Sequence, residues 1–182
     1  MDAPRLKRLT PETWLEPEWV MSFFVQMGPG DLQPRPVSGE DWVKAIATPT
    51  LDESVPEEVK ELFEAARGAL AYGYFFYPLY ALGLGQLFRV AEAAVADKCE
   101  ATRAPKSVER FYQRIEWLVG KGIILEQEKG RWDAIRGMRN LESHPKRQTL
   151  LPPGTTVGML MRVTEMIKAL YGTPVENGTV VR

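Results

Sequence analysis

The chain has 182 residues, 23 Lys and Arg against 24 Asp and Glu, a formal charge of −1 and 45% hydrophobic residues. This length and composition suit one globular domain and exclude a disordered or fibrous protein. The near-zero charge excludes a general attraction to polyanions. The chain has a single Cys (Cys99) and a single His (His144), which excludes an internal disulfide and a His/Cys-rich metal cluster. We therefore expect no metal and no cofactor.

The N-terminal segment is rich in proline and tryptophan. Residues 1–56 hold eight of the fourteen prolines and three of the five tryptophans. These tryptophans are Trp14, Trp19 and Trp42. Proline interrupts long regular elements, whereas tryptophan needs a surface to pack against. We therefore expect residues 1–55 to form an arm packed on the main body, with short helical turns near 11–26 and 39–47.

From residue 56 onward the apolar residues recur at helical spacing. Pro56 precedes two glutamates in a first turn, where the helix dipole favours acidic side chains. Ser107 is the expected N-cap of a later helix. The expected helices cover 57–72, 78–99, 107–120, 126 or 131 to 143, and 155 or 156 to 170. With no strand alternation, the sequence predicts an all-α bundle of about five helices over 56–171, followed by a short flexible tail at 172–182.

No charged residue occurs between Arg67 and Arg89, a stretch long enough to cross a bilayer. Its tyrosines lie in the middle instead of at the two ends, and Pro78 interrupts it, so we expect a buried central helix and no membrane contact. The first ten residues lack the apolar run of a secretory signal, and a cytoplasmic location is therefore expected. The surplus of apolar surface over 68–88 predicts a homodimer.

The stretch 134–147 contains the one histidine of the chain. Asn140 and His144 are four residues apart on one helix face, so Asn140 is placed to orient the imidazole. Arg136 lies near the same face and Arg139 lies beside it. An imidazole exchanges protons near neutral pH, and a guanidinium binds a phosphate through two parallel hydrogen bonds. These are the minimum parts for cleaving RNA without a metal.

The charge around this stretch favours an anion, because residues 129–147 contain six basic and two acidic side chains, a local charge of +4. The expected catalytic residues are Arg139, His144 and Asn140, and the expected substrate-binding residues are Arg136, Lys146 and Arg147. The same pattern also has a purely structural interpretation. A histidine in a last helical turn commonly contacts terminal carbonyls, and Arg136 and Arg139 have Asp133 and Glu142 within pairing distance along the helix.

The segment Arg139-Asn140-Leu-Glu-Ser-His144 resembles the Arg-(four to six residues)-His signature of the HEPN superfamily, including the polar residue after the arginine. A longer register, Arg136 with Asn140 and His144, is similar to a branch of uncharacterised HEPN domains found alone and in restriction-system proteins. The Pro-Glu-Glu-Val segment at 56–59 agrees with this branch. So do Arg89-Val-Ala-Glu92 and the helix at 115–118. The resemblance covers about residues 56–170 and leaves the arm unmatched.

The resemblance implies a small helical bundle that dimerises, so that two Arg/His sets face one cleft. Many members of the family are metal-independent endoribonucleases of toxin–antitoxin, restriction or abortive-infection systems, and others are binding modules without catalysis. We therefore expect an RNA-binding and RNA-cleaving homodimer with an antitoxin or defence-system partner. The alternative is a non-catalytic interaction module that uses the arm or the aromatic run at 72–80 as its contact surface.

Overall fold

The computed structural model describes residues 7–28, 30, 32–142, 153–172, 175–176 and 179–180. Over this part of the chain the fold is an all-α bundle, as the sequence predicts. The helices are α1 (Gly39–Ala47), α2 (Glu57–Tyr72), α3 (Pro78–Ala101), α4 (Phe111–Gly120), α5 (Glu126–Glu142) and α6 (Pro153–Gly172), preceded by a 3-10 helix (Trp19–Phe23). The strands are two-residue pairs, β1 (Val25–Gln26) with β2 (Arg35–Pro36) and β3 (Val175–Glu176) with β4 (Thr179–Val180).

Helix boundaries follow the expected signals with two exceptions. The predicted limits of α2 are the observed ones, and α3 begins at Pro78. The expectation of a helix from Ser107 is wrong, because α4 begins at Phe111. The side-chain oxygen of Gln113 accepts from the backbone N–H of Arg110 at 2.9 Å, so a glutamine supplies the cap that the sequence analysis assigned to a serine. Helix α6 begins at Pro153, ahead of the two threonines expected to cap it.

Helix α3 is the centre of the bundle and contacts α2, α4, α5 and α6. Its buried positions include the runs Leu87–Phe88, Val90–Ala91 and Ala94–Val95, which point in several directions around the helix. By length and composition α3 is also the one described helix that is apolar enough to cross a membrane, with a mean hydropathy of 1.2, and half of that window is buried inside the protein.

Two glycines allow α2 and α3 to approach closely. A Cβ at Gly83 would lie 2.6 Å from Cδ2 of Leu70, and a Cβ at Gly73 would lie 2.5 Å from the ring of Tyr80. Side chains at these positions would therefore push the two helices apart. In the aromatic run at 72–80, Tyr74, Tyr77 and Tyr80 are buried in the core, whereas Tyr72 is exposed.

The uncharged stretch 68–88 contributes mainly core. Its exposed large hydrophobic side chains, in the described structure, are Tyr72 and Leu82. The surplus of apolar surface expected there is thus not observed, and this argument for a dimer interface is lost.

The arm contributes buried side chains to the same core as the bundle, among them Met21, Trp42 and Ile46. The indole N–H of Trp42 donates to the carbonyl of Leu70 at 3.0 Å. Arg67 of α2 donates to two carbonyls at the C-terminal end of α1, which fixes α1 against α2.

The expectation that the three arm tryptophans pack on the body is confirmed for Trp42 and wrong for Trp14 and Trp19. Trp14 is 55% exposed and Trp19 is 41% exposed, whereas Trp42 is 3% exposed. The anchor is instead the amphipathic helix α1, in which Trp42 and Ile46, four residues apart, share the buried face.

We expect Trp42→Ala to lower the free energy of unfolding by about 3–5 kcal/mol, because it opens a cavity and leaves the Leu70 carbonyl without its donor. Trp14→Ala serves as the matched control, with an expected change within about 0.5 kcal/mol. Urea denaturation followed by far-UV circular dichroism measures both. Equal losses for the two variants would contradict this assignment of the anchor.

Candidate functional site at the α3–α5 groove

Helix α5 carries the predicted site and packs between α3 and α4 through an apolar face. Trp132 and Ile135 are buried, and Met138 packs against the core. At its start Lys129 bonds to Glu116 of α4 at 2.6 Å. Trp132, Ile135 and Met138 are spaced three residues apart and therefore share one face of α5. The polar side chains of α5 lie along the solvent-accessible edge of the helix.

Arg139 bonds across the groove to α3. Its Nη2 lies 2.9 Å from Oε2 of Glu92, with the side chain of Arg139 41% exposed and that of Glu92 26% exposed. This contact ties the last turn of α5 to the middle of α3. A half-exposed guanidinium held by a carboxylate is accessible to a competing oxyanion, because such pairs contribute only about 0–1 kcal/mol.

Arg136 pairs within its own helix. Its Nε lies 3.1 Å from Oδ1 of Asp133, three residues earlier, and both side chains are partly exposed. This is the pairing that the structural interpretation of the motif anticipates. Arg136 and Arg139 therefore have different environments, and Arg139 is the one that joins two helices.

Ion pairing changes the charge of this surface. Each basic residue of α5 in the described structure has a carboxylate partner, and three of the four partners lie outside the two acids counted within 129–147. These partners are Glu116, Glu128, Asp133 and Glu92. The local charge of +4 counted along the sequence is consequently reduced in space by Glu92, Glu116 and Glu128. An anion that binds here must displace or share these carboxylates.

Of the other predicted site residues, Asn140 is described, whereas His144, Lys146 and Arg147 lie outside the described residues. Asn140 is exposed and follows Arg139 directly in the last turn of α5. The expected contact between Asn140 and His144 stays a prediction.

Glu92 has two interpretations in the sequence, either a helix pair with Arg89 or a support of the active cleft. Its spacing suggests a pair with Arg89 one turn away, but its carboxylate bonds to Arg139 of α5. The available signal was its position, since Arg89 and Glu92 are the first charged residues after the uncharged stretch 68–88, which includes the first half of α3. A carboxylate on a largely buried helix generally has a cationic partner on a neighbouring element.

No metal centre or ligand cavity accompanies the described residues of the predicted site, which are Arg136, Arg139 and Asn140. The described part of the chain contains no group of three or more His, Cys, Asp or Glu side chains arranged to hold a metal ion. An open cavity of about 400 Å³ lies beside the start of α2, where Leu51 and Phe63 line it and Glu57 and Lys60 form an ion pair. None of the described site residues lines this cavity.

Other titratable groups lie in the core or pack against it. Burial raises the pKa of the Cys99 thiol to about 11, and its Sγ contacts the carbonyl of Arg114 at 3.6 Å. Between α3 and α6 the hydroxyl of Tyr171 donates to Asp97 at 2.7 Å, and the ammonium of Lys98 lies 5.2 Å from the Tyr171 ring centroid. These contacts join neighbouring helices.

No protein-family model, curated protein or solved structure matches the chain. A functional assignment therefore depends on the motif and on the geometry of the α3–α5 groove.

We expect Cys99 to resist Ellman's reagent in the native protein at pH 8. With a pKa of about 11, roughly 0.1% of the thiol is ionised at that pH, and the side chain is buried. In urea, one thiol per chain should react at once, because Cys99 is the sole cysteine. Fast stoichiometric reaction of the native protein would show an exposed, activated thiol.

The Glu92–Arg139 pair should couple weakly in stability. A double-mutant cycle with Glu92→Gln and Arg139→Gln is expected to give about 0.2–1 kcal/mol by urea denaturation, since both groups are partly exposed. The cycle Asp133→Asn with Arg136→Gln is the matched control on the same helix. A coupling energy well above this range would mean that the pair stabilises the fold and that Arg139 does not readily exchange Glu92 for another anion.

Proposed function

We propose that the chain is a HEPN-type RNA-binding protein that cleaves RNA without a metal. The single observation that carries the proposal is the position of Arg139, held at the α3–α5 groove by Glu92, half-exposed, and next to the exposed Asn140. In the sequence these two residues begin the Arg-Asn-x-x-x-His segment.

The chemistry requires a cation for the phosphate and a base for the 2′-hydroxyl. Arg139 exchanges the Glu92 carboxylate for a phosphate, or shares its guanidinium between them, which is energetically accessible for a partly exposed pair. His144 accepts the 2′-hydroxyl proton as the 2′-oxygen attacks phosphorus. The bond to the 5′-oxygen breaks, the 5′-oxygen takes a proton from water and leaves as a hydroxyl, and a 2′,3′-cyclic phosphate remains. Asn140 orients the imidazole from one turn away.

Arg136 and the downstream Lys146 and Arg147 bind neighbouring phosphates in this proposal. Their contribution is electrostatic and independent of RNA sequence, so binding weakens as salt releases the protein from the backbone. The proposal also includes a homodimer in which two motifs face one cleft, and a defence or toxin–antitoxin role, both as the HEPN resemblance implies.

The test is cleavage of 5′-labelled single-stranded RNA by the full chain in the presence of EDTA. We expect cleavage by the wild type, with 2′,3′-cyclic phosphate ends, and loss of cleavage in His144→Ala while RNA binding largely persists. Arg139→Ala is expected to weaken both cleavage and binding, because the guanidinium also stabilises charge in the transition state.

Arg131→Ala is the matched control, since Arg131 lies on the same helix and pairs with Glu128, three residues earlier. It should cleave RNA like the wild type. Cleavage that survives His144→Ala, or that stops with EDTA, would reject the mechanism. RNA binding without cleavage by the wild type would reject the enzyme and keep the binding function.

A further inference from the structure

A second basic surface lies on α4, where this helix packs against the end of α3. Helix α5 is itself electrically balanced, because Glu126–Glu142 contains four basic and four acidic side chains. Residues 99–121 contain five basic and three acidic side chains. One of these acids, Glu116, is already paired with Lys129 of α5 at 2.6 Å. Two acids therefore remain to balance five basic side chains, which leaves a local charge of +3.

Four of the basic residues form what we call the basic row: Arg103, Arg110, Arg114 and Lys121. Arg114, Trp117 and Lys121 are three and four residues apart, so they share one face of α4 and its C-cap. Arg110 lies one turn before Arg114, whose backbone N–H donates to the Arg110 carbonyl at 3.0 Å. The ammonium of Lys121 lies 4.9 Å from the ring centroid of Trp117. The fifth basic residue, Lys106, is exposed in the loop before α4.

Two contacts place the basic row beside the end of α3. The indole N–H of Trp117 donates to the hydroxyl of Thr102 at 3.2 Å. The thiol of Cys99 contacts the carbonyl of Arg114 at 3.6 Å. Arg103 directly follows Thr102 in the chain, so its backbone lies next to the first of these contacts. The basic row therefore follows the seam between α3 and α4.

Arg103 has a backbone conformation that glycine usually adopts. Its φ is 56°, in the left-handed region. The N–H of Ala104 donates to the carbonyl of Cys99 and that of Arg103 to the carbonyl of Glu100, both at 2.9 Å, which ends α3 as a Schellman motif does. Glycine fits this position without strain, whereas arginine adds a cation there under strain. Backbone strain of this kind is typical of functional positions.

The basic row has no carboxylate partner within the part of the chain that the structure describes. The acids nearest to it along the chain, Glu100 and Glu109, are exposed and form no ion pair there either. Asp97 and Lys98 are directed to α6, where both contact Tyr171. The cations of the row thus differ from those of α5, each of which is paired.

The surface around the basic row has no apolar centre. Tyr112 is the one large exposed hydrophobic side chain of residues 99–121, and it is two residues from Arg110 and from Arg114, on another side of α4. Protein interfaces have an apolar core, and helices that lie on membranes insert an apolar face. The row runs for about 16 Å from Arg110 to Lys121. Its chemistry therefore fits a chain of phosphates, which is bound mainly through charge.

We propose that the basic row binds the phosphate backbone of a single RNA strand that extends from the α3–α5 groove. Cys99 is seven residues after Glu92, so the groove and the row follow one face of α3. Thr102 is ten residues beyond Glu92, about 15 Å along the helix. A strand seated at Arg139 reaches the row within a few nucleotides. The inference rests on the proposed function for the identity of the polymer, but it does not require cleavage.

The test is binding of a fluorescein-labelled, 2′-O-methylated oligouridine of about twelve nucleotides to the full chain, followed by fluorescence anisotropy. This strand has no free 2′-hydroxyl, so the proposed chemistry cannot cleave it. Arg110→Gln with Arg114→Gln should weaken binding at least about 10-fold at low salt. The slope of log K against log salt should fall by about 1.4, because each phosphate contact to a single strand contributes about 0.7.

The matched control removes two positive charges elsewhere. Lys44→Gln with Arg131→Gln changes the net charge equally, on α1 and α5, and should bind the oligouridine like the wild type. Arg103→Gly separates binding from folding. Glycine relieves the left-handed backbone, so the urea midpoint should not fall, while loss of the guanidinium should weaken binding. Unchanged binding by Arg103→Gly would contradict the place of Arg103 in the row.

The outcomes distinguish this inference from the proposed function. If the wild type cleaves RNA but the Arg110→Gln, Arg114→Gln variant binds the oligouridine as tightly as the wild type, the basic row is rejected and the cleavage stands. If the wild type does not cleave RNA but this variant loses binding, the enzyme is rejected and the row stands.

Three further results would overturn the inference. One is absence of oligouridine binding by the wild type. Another is equal competition by polyglutamate, which would make an acidic protein the partner. The third is flotation of the wild type with phosphatidylserine vesicles that Arg110→Gln with Arg114→Gln abolishes, which would make the partner a membrane.

Discussion

The packing around Tyr80 is the contact on which the arrangement of this protein depends. Its ring lies against Gly73, where any side chain would collide with it, and Trp42 packs edge-on against it at 5.2 Å. Its hydroxyl donates to Met21. One residue near the start of α3 therefore joins the α2–α3 hairpin, α1 and the arm. Burial raises the pKa of this phenol well above its usual range, so it stays neutral and remains a donor.

Helical periodicity and proline predicted most of the fold because both act within one segment. The limits of α2 and the start of α3 follow from Pro56, Pro78 and the apolar spacing between them. Which tryptophan is buried does not follow in this way, because it depends on what faces each one in space. Trp42 meets Leu70 and Tyr80 across the hairpin, while Trp14 lies in a turn that no helix covers.

At the candidate site, too, contacts within one helix could be predicted from the sequence, whereas contacts between helices could not. The ion pair between Arg136 and Asp133 could be predicted from the sequence, because the two residues are three apart on one helix. The pair Arg139–Glu92 was not, because it depends on the register of α5 against α3. Counting charges along the chain gave an anion-binding surface of +4, and the inter-helix partners Glu92 and Glu116 lower that charge. In the proposed function, a phosphate therefore has to compete with Glu92 for Arg139.

Helix α3 also sets the distance between the arm and the α3–α5 groove. The arm is attached to its first turn, through Tyr77 and Tyr80, and the groove is attached at Glu92. Twelve residues separate Tyr80 from Glu92, about 18 Å of helix. Sites so far apart that share no partner normally act additively. In the proposed function, an RNA at the groove would therefore lie about 18 Å along α3 from the arm contact at Tyr80, and the helix between them holds the arm and the groove on one body.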